Sequence, residues 1–534
     1  MKNIHGLLLV GCSALALAGC GPSDIAGPGT GGNIIVNPPP TPTPTETPTP
    51  TPGGVVAASA CPSIATATQL VDAGVISGPT GSYRVCNLPG VIDRSVTLPK
   101  VSGLVYQMNG RVDVGCDGGF SAPTSAAPFA TSTIGCPTAN LTSDTNVTLT
   151  IEPGVIMVGA PGASWLAVNR GNRISAVGTA TQPIIFTSRD NVVGQVSETS
   201  QGQWGGVVLM GRAPVTDCAT GSTTAGTCER QTEGAQNPAR FGGNDSAYNA
   251  GRMSYVQIRY SGFILSGNSE LQALTTEGIG TGTVLDHIMA YNSSDDGMEA
   301  FGGSVNMKHY IAVGADDDSL DVDVGAQMNV QYALLLQRDG LGDALFEIDS
   351  NGNESDMPRT KLAVANFTAI QRQTSSNNES NDQASALFRG NSDVTLVNGI
   401  MVSPNNECIR MHGSGSTPAT LNALSVVLSC SPTAKYIGTG SYTAAQVSSF
   451  FASGTKNNND GYTSTLTNGF VNGANETAVT ATDPKTVSAF FDTTNYVGAV
   501  RNSGDTWYAG WTCNSAAANF GTGNSGACTS LPTT

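Results

Sequence analysis

Residues 293–303 read SSDDGMEAFGG and residues 315–325 read ADDDSLDVDVG. Laid over one another without a gap at an offset of 22, they set Asp295 over Asp317, Asp296 over Asp318 and Glu299 over Asp321. Apolar positions superpose as well, Met298 on Leu320 and Ala300 on Val322. A repeat that keeps acids and apolar residues in fixed phase predicts a chain winding once per repeat and stacking like on like.

The surrounding sequence extends the pattern. From about residue 141 onward, short β-rich runs such as NVTLTIEPGVIMVG, SYVQIRYSG, TVLDHIMAYN, VNMKHYIAVG, MNVQYALLL, KLAVANFTAIQ and DVTLVNGIMV recur at roughly 20 to 30 residue intervals and end in Gly, Asn or Asp. Each run can bury its apolar side only against its neighbours, so the expected fold is all-β, a right-handed parallel β-helix. The consensus leucines and helical return leg of a leucine-rich repeat are missing.

Triplets in the same apolar frame continue the overlay: Phe346-Glu347-Ile348, Phe388-Arg389-Gly390 and Ile409-Arg410-Met411. Alternate strand residues face opposite sides, so apolar flanks turned inward send the middle residue outward. The predicted outward column is Glu299, Asp321, Glu347, Arg389 and Arg410, with a parallel column of Phe301, Asp323, Asp349, Asn391 and His412 two residues on. Glu299, Asp321, Asp323, Glu347, Asp349 and His412 are therefore the expected ligand-binding residues.

Ionised carboxylates one strand spacing apart, about 4.8 Å, repel by roughly 3.5 kcal/mol at an effective dielectric near 20. A bound cation, proton uptake or the arginines can offset this. A hard cation takes oxygen ligands, which makes Asp295, Asp296, Asp316, Asp317 and Asp318 the candidate Ca²⁺ ligands. DDG and DDD are also ordinary turn sequences whose carboxylates bond nearby backbone N–H groups, and both accounts stand at this point.

The chain of 534 residues carries 24 Lys+Arg against 40 Asp+Glu, a net charge of −16, which argues against nucleic acid as a partner. With 65 glycines and only 12% charged residues, the composition favours turns and strands over helices. Ten cysteines beyond Cys12 and Cys20 fall as sequence neighbours, Cys61/Cys86, Cys116/Cys136, Cys218/Cys228, Cys408/Cys430 and Cys513/Cys528, and read as local disulfides of an exported protein.

The N-terminus, with an apolar run from Leu7 to Leu17 ahead of Leu17-Ala18-Gly19-Cys20, resembles a bacterial lipobox. The resemblance implies cleavage before Cys20, a lipid on its sulfur and, with Gly21 following, an outer-membrane destination. Residues 38–52, PPPTPTPTETPTPTP, favour an extended polyproline spacer of roughly 45 Å. The expected layout is a signal peptide at 1–19, a lipidated linker at 20–56, an N-terminal β-rich cap at 57–140, the β-helix at 141–430 and a C-terminal cap at 431–534. Within that cap, Thr443 with Gln446 predicts a capping box, and Thr482-Asp483-Pro484 a second helix start.

Gln203-Trp204-Gly205-Gly206-Val207-Val208-Leu209, the paired acidic stretches and VGAVRNSGDTWYAGWT at 497–512 together resemble large extracytoplasmic β-helix lipoproteins of Gram-negative bacteria. That resemblance implies the β-helix fold and a lipid-anchored chain, periplasmic or cell-surface facing; the stacked acids point to a cation-assisted surface that binds an extracellular polymer, foremost a glycan, or accompanies an outer-membrane receptor. The acid layout is also similar to polygalacturonase-type hydrolases, which would make Asp296, Asp317 and Asp318 the acid and base. The Gly-His-Gly of that family is replaced by Asp339-Gly-Leu-Gly342. A pectate-lyase-like elimination would use Ca²⁺ with Arg389 or Arg410 as base, and a purely structural or adhesive stalk is a further alternative. His287 and His309 fall at equivalent positions of the overlay, as a stacked pair or a metal pair, and Trp204 is either a sugar platform or a structural aromatic.

Overall fold

The computed structural model describes residues 54–533 apart from 268, 351, 375–383 and 414–416. The expected signal peptide, the expected lipid site Cys20 and residues 38–52 lie outside the described residues.

The chain winds into a parallel β-helix. One sheet of fifteen strands and another of eleven run its length. The shorter-stranded sheet stacks, among others, Leu274–Glu277, Met298–Phe301, Asp321–Asp323, Phe346–Ile348, Ala384–Phe388 and Glu407–Gly413, each parallel to the next. Phase is set by burial: Met298, Ala300, Leu320, Val322, Phe346 and Ile348 are fully buried in the central core, and the acids between them turn outward. Glu299 pairs with Asp321 and Asp321 with Glu347, as the overlay predicts.

Beyond Glu347 the register differs from the sequence expectation. Ala386-Leu387-Phe388, not Phe388-Arg389-Gly390, sits on Phe346-Glu347-Ile348, and Leu387 lies beside Arg410. The columns therefore run Glu299, Asp321, Glu347, Leu387, Arg410, while Arg389 moves two places into the column of Asp323, Asp349 and His412. Asn391 leaves that column for the following turn, where it takes φ 65° and donates to Asp356 O at 2.8 Å. A slip of two keeps every side chain on its face, so the apolar pattern alone does not detect it.

The longer strands bend in the middle. Tyr255, His287, His309, Tyr332, Asn366, Asn398 and Ser425 occupy one register position and all hold φ between 52° and 64°. This stacked left-handed residue folds each strand across a corner, giving the helix three faces. Asn tolerates that conformation best, and Asn366 and Asn398 donate to the carbonyls of Tyr496 (2.9 Å) and Thr482 (2.8 Å).

The ten cysteines pair as expected: Cys61–Cys86, Cys116–Cys136, Cys218–Cys228, Cys408–Cys430 and Cys513–Cys528. Their surroundings give them a structural role rather than a place in a binding site. Cys86 is fully buried on the strand Gly81–Asn87 and ties the segment at half-buried Cys61 to the first turns of the core. Half-buried Cys136 fastens an irregular loop to buried Cys116. Cys430 ends the strand Thr420–Cys430 and links it to Cys408 of the other sheet, so that bond closes the last turns of the helix. No cysteine joins the carboxylate groups among the described residues.

Ala444–Phe451 opens on a capping box at Thr443 and buries Val447 and Phe451 in the central core at the last turn. The residues after it do not stay at that end, as the sequence-based layout placed them. They run back along one face, where Phe470, Val500, Tyr508, Trp511 and Phe520 cover Tyr260, Met289, Tyr291, Ile311, Val313 and Leu334. These outward apolar residues on the strands require such a cover. The return segment is fastened by Arg259, itself fully buried, which donates to Cys528 O (2.9 Å), Ser530 O (2.8 Å) and Ser525 Oγ (3.1 Å).

Candidate functional site

The acids gather on the eleven-stranded sheet and the turns entering it. Three overlapping groups bring carboxylate oxygens within 4.8 Å of one another: Asp295 with Asp296 and Asp317, Asp296 with Glu299 and Asp321, and Asp317 with Asp318 and Asp343. Asp296 and Asp317 are shared, so the groups form one continuous cleft. Asp316 stands aside, bonded by the Gln201 side-chain amide and, at 3.3 Å, by Gly342 N.

Part of the acid set does bond turn backbones. Asp318 N donates to Asp296 Oδ1 at 2.9 Å, and Ala344 N donates to Asp318 Oδ1 at 2.7 Å, one turn above the next. These bonds orient the two carboxylates without neutralising them.

The column is not the exposed surface that the alternation implies. Glu299 and Asp323 retain 6% exposure and Asp296 and Asp318 4%, whereas Asp317, Asp321 and Glu347 form a part-open mouth. The cover is an irregular insertion, about residues 211–246, stapled by Cys218–Cys228. Its Val215, Cys228, Ala239 and Phe241 pack on Val208, Met210, Phe301 and Val324 of the sheet. Fully buried Arg170 anchors it, bridging Asp117 and Glu229 at 2.7 Å each, and Thr232 donates to Glu277 Oε2 at 2.7 Å. An insertion between turns carries no repeat, which is why phase arguments miss it.

Burial and crowding raise the acids together. Asp295, Asp296, Glu299, Asp318 and Asp321 are all held well above the ordinary carboxylate range, first by desolvation and then by the neighbouring carboxylates. Asp323 is pushed up to about 7 by burial and Asp349, offset by Arg230 and Arg389. Glu270 is pushed up to about 7 by burial and by Asp317, Asp316 and Glu233. Glu233, Glu270 and Arg230 are members of the site that the sequence did not single out, because they come from the insertion and a neighbouring loop.

The arginines are committed to ion pairs. Arg389 Nη1 lies 3.1 Å from Glu347 and 3.2 Å from Asp349. Arg410 donates to both oxygens of Glu407 at 3.0 and 2.9 Å. His412 follows two residues after Arg410 on the same strand, beside Thr439. Away from the cleft, Trp204 is fully buried and donates to Arg259 O at 2.8 Å, which is a structural role.

The donor set is all oxygen, crowded and short of cations, which is the chemistry of a hard divalent ion. Asp295, Asp296, Glu299, Asp317 and Asp321 would hold it. Among solved structures, the crystal structure of pectate lyase Pel9A aligns over 75% of this chain and 88% of its own, at 10% identity and a TM-score of 0.28. No curated protein matches the chain. Residues 137–512, the span that contains the three faces, the acid cleft and most of the return segment, match the pectate-lyase-like β-helix domain, and the chain belongs to that family.

Proposed function

We propose that this chain is an outer-membrane-anchored surface lipoprotein whose acid cleft takes Ca²⁺ and with it binds an extracellular polymer, a glycan being the best chemical fit. The observation that carries this reading is the set of three carboxylate groups sharing Asp296 and Asp317, with oxygens within 4.8 Å. A hard cation supplies the positive charge these oxygens lack and an attachment point for carboxylate or hydroxyl groups of a sugar. Asp318 and Asp296 keep their orientation through the backbone bonds of the next turn. The part-open acids Asp317, Asp321 and Glu347 meet the polymer, and the insertion excludes water behind them.

The lyase alternative needs an arginine that gives up its proton. Arg389 sits between Glu347 and Asp349 and Arg410 is bidentate on Glu407, so both guanidiniums are already engaged by carboxylates rather than facing a substrate C–H. Binding is therefore favoured over elimination.

The test is a thermal melt of the full chain in EDTA and in excess Ca²⁺, because a ligand that binds only the folded state raises its melting point. A Ca²⁺-dependent rise that disappears in Asp317→Asn is expected, followed by retention on acidic polysaccharide in Ca²⁺ alone. An unsaturated, ultraviolet-absorbing product or new reducing ends would move the assignment to a lyase or hydrolase. Identical melts in EDTA and Ca²⁺ would leave the acids as turn-bonding groups on a stalk.

A further inference from the structure

A second cluster of metal-ligating side chains lies away from the acid cleft, at the corner where the long strands bend. His287 and His309 occupy the same register position on adjacent turns, and their rings stack with centroids 4.1 Å apart. Both Nδ1 atoms face one carboxylate. His309 Nδ1 is 2.7 Å from Asp286 Oδ1, and His287 Nδ1 is 3.0 Å from Asp286 Oδ2.

We propose that Asp286, His287 and His309 form a binding site for a borderline divalent transition metal ion such as Zn²⁺, separate from the acid cleft. The three donor atoms already lie within 4.8 Å of one another. Zn²⁺ bonds imidazole nitrogen and carboxylate oxygen at about 2.0–2.2 Å, so tetrahedral donors stand about 3.3 Å apart. The present contacts of 2.7 and 3.0 Å open by a few tenths of an ångström and the two stacked rings turn toward a common point to admit the ion.

A second observation points to a ligand. His287 is 9% exposed, and its Nδ1 has Asp286 Oδ2, at 3.0 Å, as its one neighbour of opposite charge and no other hydrogen-bond partner among the described residues. The mixed nitrogen and oxygen donor set separates this site from the all-oxygen cleft, since imidazole selects Zn²⁺ or Cu²⁺ over Ca²⁺. Asp286 keeps 28% and His309 20% side-chain exposure, which leaves a route for the ion and a place for water as fourth ligand. Lys308, next to His309 in the chain, is drawn away by Asp492 at 2.7 Å. The indoles of Trp507 and Trp511 pack against the imidazoles at centroid distances of 5.0 to 6.3 Å. An ion here would thus brace the corner beneath the return segment.

The neighbouring turns supply a conservative variant. Asn366 and Asn398 hold the same backbone position two and three turns above His309, so His309→Asn removes a ligand while keeping a residue suited to the bend. Zn²⁺ is titrated into the full chain by calorimetry with Ca²⁺ present to fill the cleft, and Co²⁺ is followed by its visible absorption. One ion per chain, the intense bands of four-coordinate cobalt, at least tenfold weaker binding in His309→Asn and unchanged binding in Asp317→Asn are expected. Should His309→Asn misfold, His287→Asn takes its place with the same expectation. Zn²⁺ binding that is absent, that survives in His287→Asn or His309→Asn, or that vanishes in Asp317→Asn overturns the proposal. The last outcome would assign the ion to the acid cleft without affecting the Ca²⁺ reading.

Discussion

Glu277 offers the sharpest test of the covered acid face. Its residue is fully buried, it pairs in register with Met210 and Phe301, and Thr232 of the insertion donates to its Oε2 at 2.7 Å. Burial pushes its carboxyl up from 4.5 to about 8, against the smaller opposing effects of Thr232, Arg230 and Arg111. The folded state therefore holds a proton that the unfolded chain has released above pH 4.5. The stability this represents is complete below about pH 4.5 and is lost as pH rises through about 8. At about 1.4 kcal/mol for each pH step of one, the loss over that window is about 4 to 5 kcal/mol. Glu277→Gln keeps an acceptor for Thr232 and cannot ionise. In urea denaturation with EDTA at about pH 5 and about pH 9, the wild type should therefore lose about 4 to 5 kcal/mol more than the variant. Two pH profiles that run parallel within about 1 kcal/mol would refute the reasoning and mean that Glu277 is ionised in the native state.

Three further outcomes follow from the same physics. Arg170→Met strands Asp117 and Glu229 in the interior and should cost about 3–5 kcal/mol in chemical denaturation, much of it recovered when Asp117→Asn is added. Ca²⁺ held by Asp295, Asp296, Glu299, Asp317 and Asp321 should drive protons off their neighbours Glu270 and Asp323, both pushed up to about 7, so calorimetric affinity should rise at least tenfold between about pH 5.5 and about pH 8 and then level off; a flat profile would mean that these two groups do not sense the ion. Asn366→Ala forfeits the bond to Tyr496 O and the ease with which Asn takes φ 52°, for a loss of about 2–3 kcal/mol, whereas Asn366→Gly, which adopts that conformation freely, should lose only the hydrogen-bond part.

The helical winding and the first pair of turns are legible because residues 293–303 and 315–325 repeat without a gap, and one slip would put Met298 and Leu320 in water. Past Ile348 the interval between turns lengthens, and only the apolar parity remains as a guide. Parity places Arg389 on the outer face, yet it cannot distinguish two positions on that face, so the column is misplaced there. The disulfides are legible for a simpler reason: Cys86, Cys136 and Cys430 each find a partner within 25 residues, so no long-range register is needed to pair them. Burial of the acids is illegible because it depends on residues 211–246, whose contacts through Arg170, Thr232 and Phe241 are long-range and leave no period in the sequence. The return of residues 463–533 is hidden likewise, since nothing local tells Trp511 or Cys528 which end of the solenoid to cover. The stacked bend is hinted at by Asn366 and Asn398, but His and Tyr at the same position obscure it.

The return segment changes what kind of object the solenoid is. An array whose turns touch only their neighbours can fray one turn at a time from either end. Here Cys528 O is bonded by Arg259 and, at 3.2 Å, by Asn191, residues 269 and 337 positions earlier in the chain. Opening an early turn parts the Arg259 guanidinium from Cys528, Ser530 and Ser525 and leaves it Gln257 Oε1 alone, and losing the segment strips the apolar cover from five successive strands. Distant turns thus share one fate, and the array gains all-or-none behaviour. The same tie imposes a sequence on biogenesis: the early turns remain without their fastening until the final stretch of chain around Cys528 emerges. A prematurely terminated chain would present a bare apolar face around Tyr260 and Tyr291 and an Arg259 stripped of its partners at Cys528, Ser530 and Ser525.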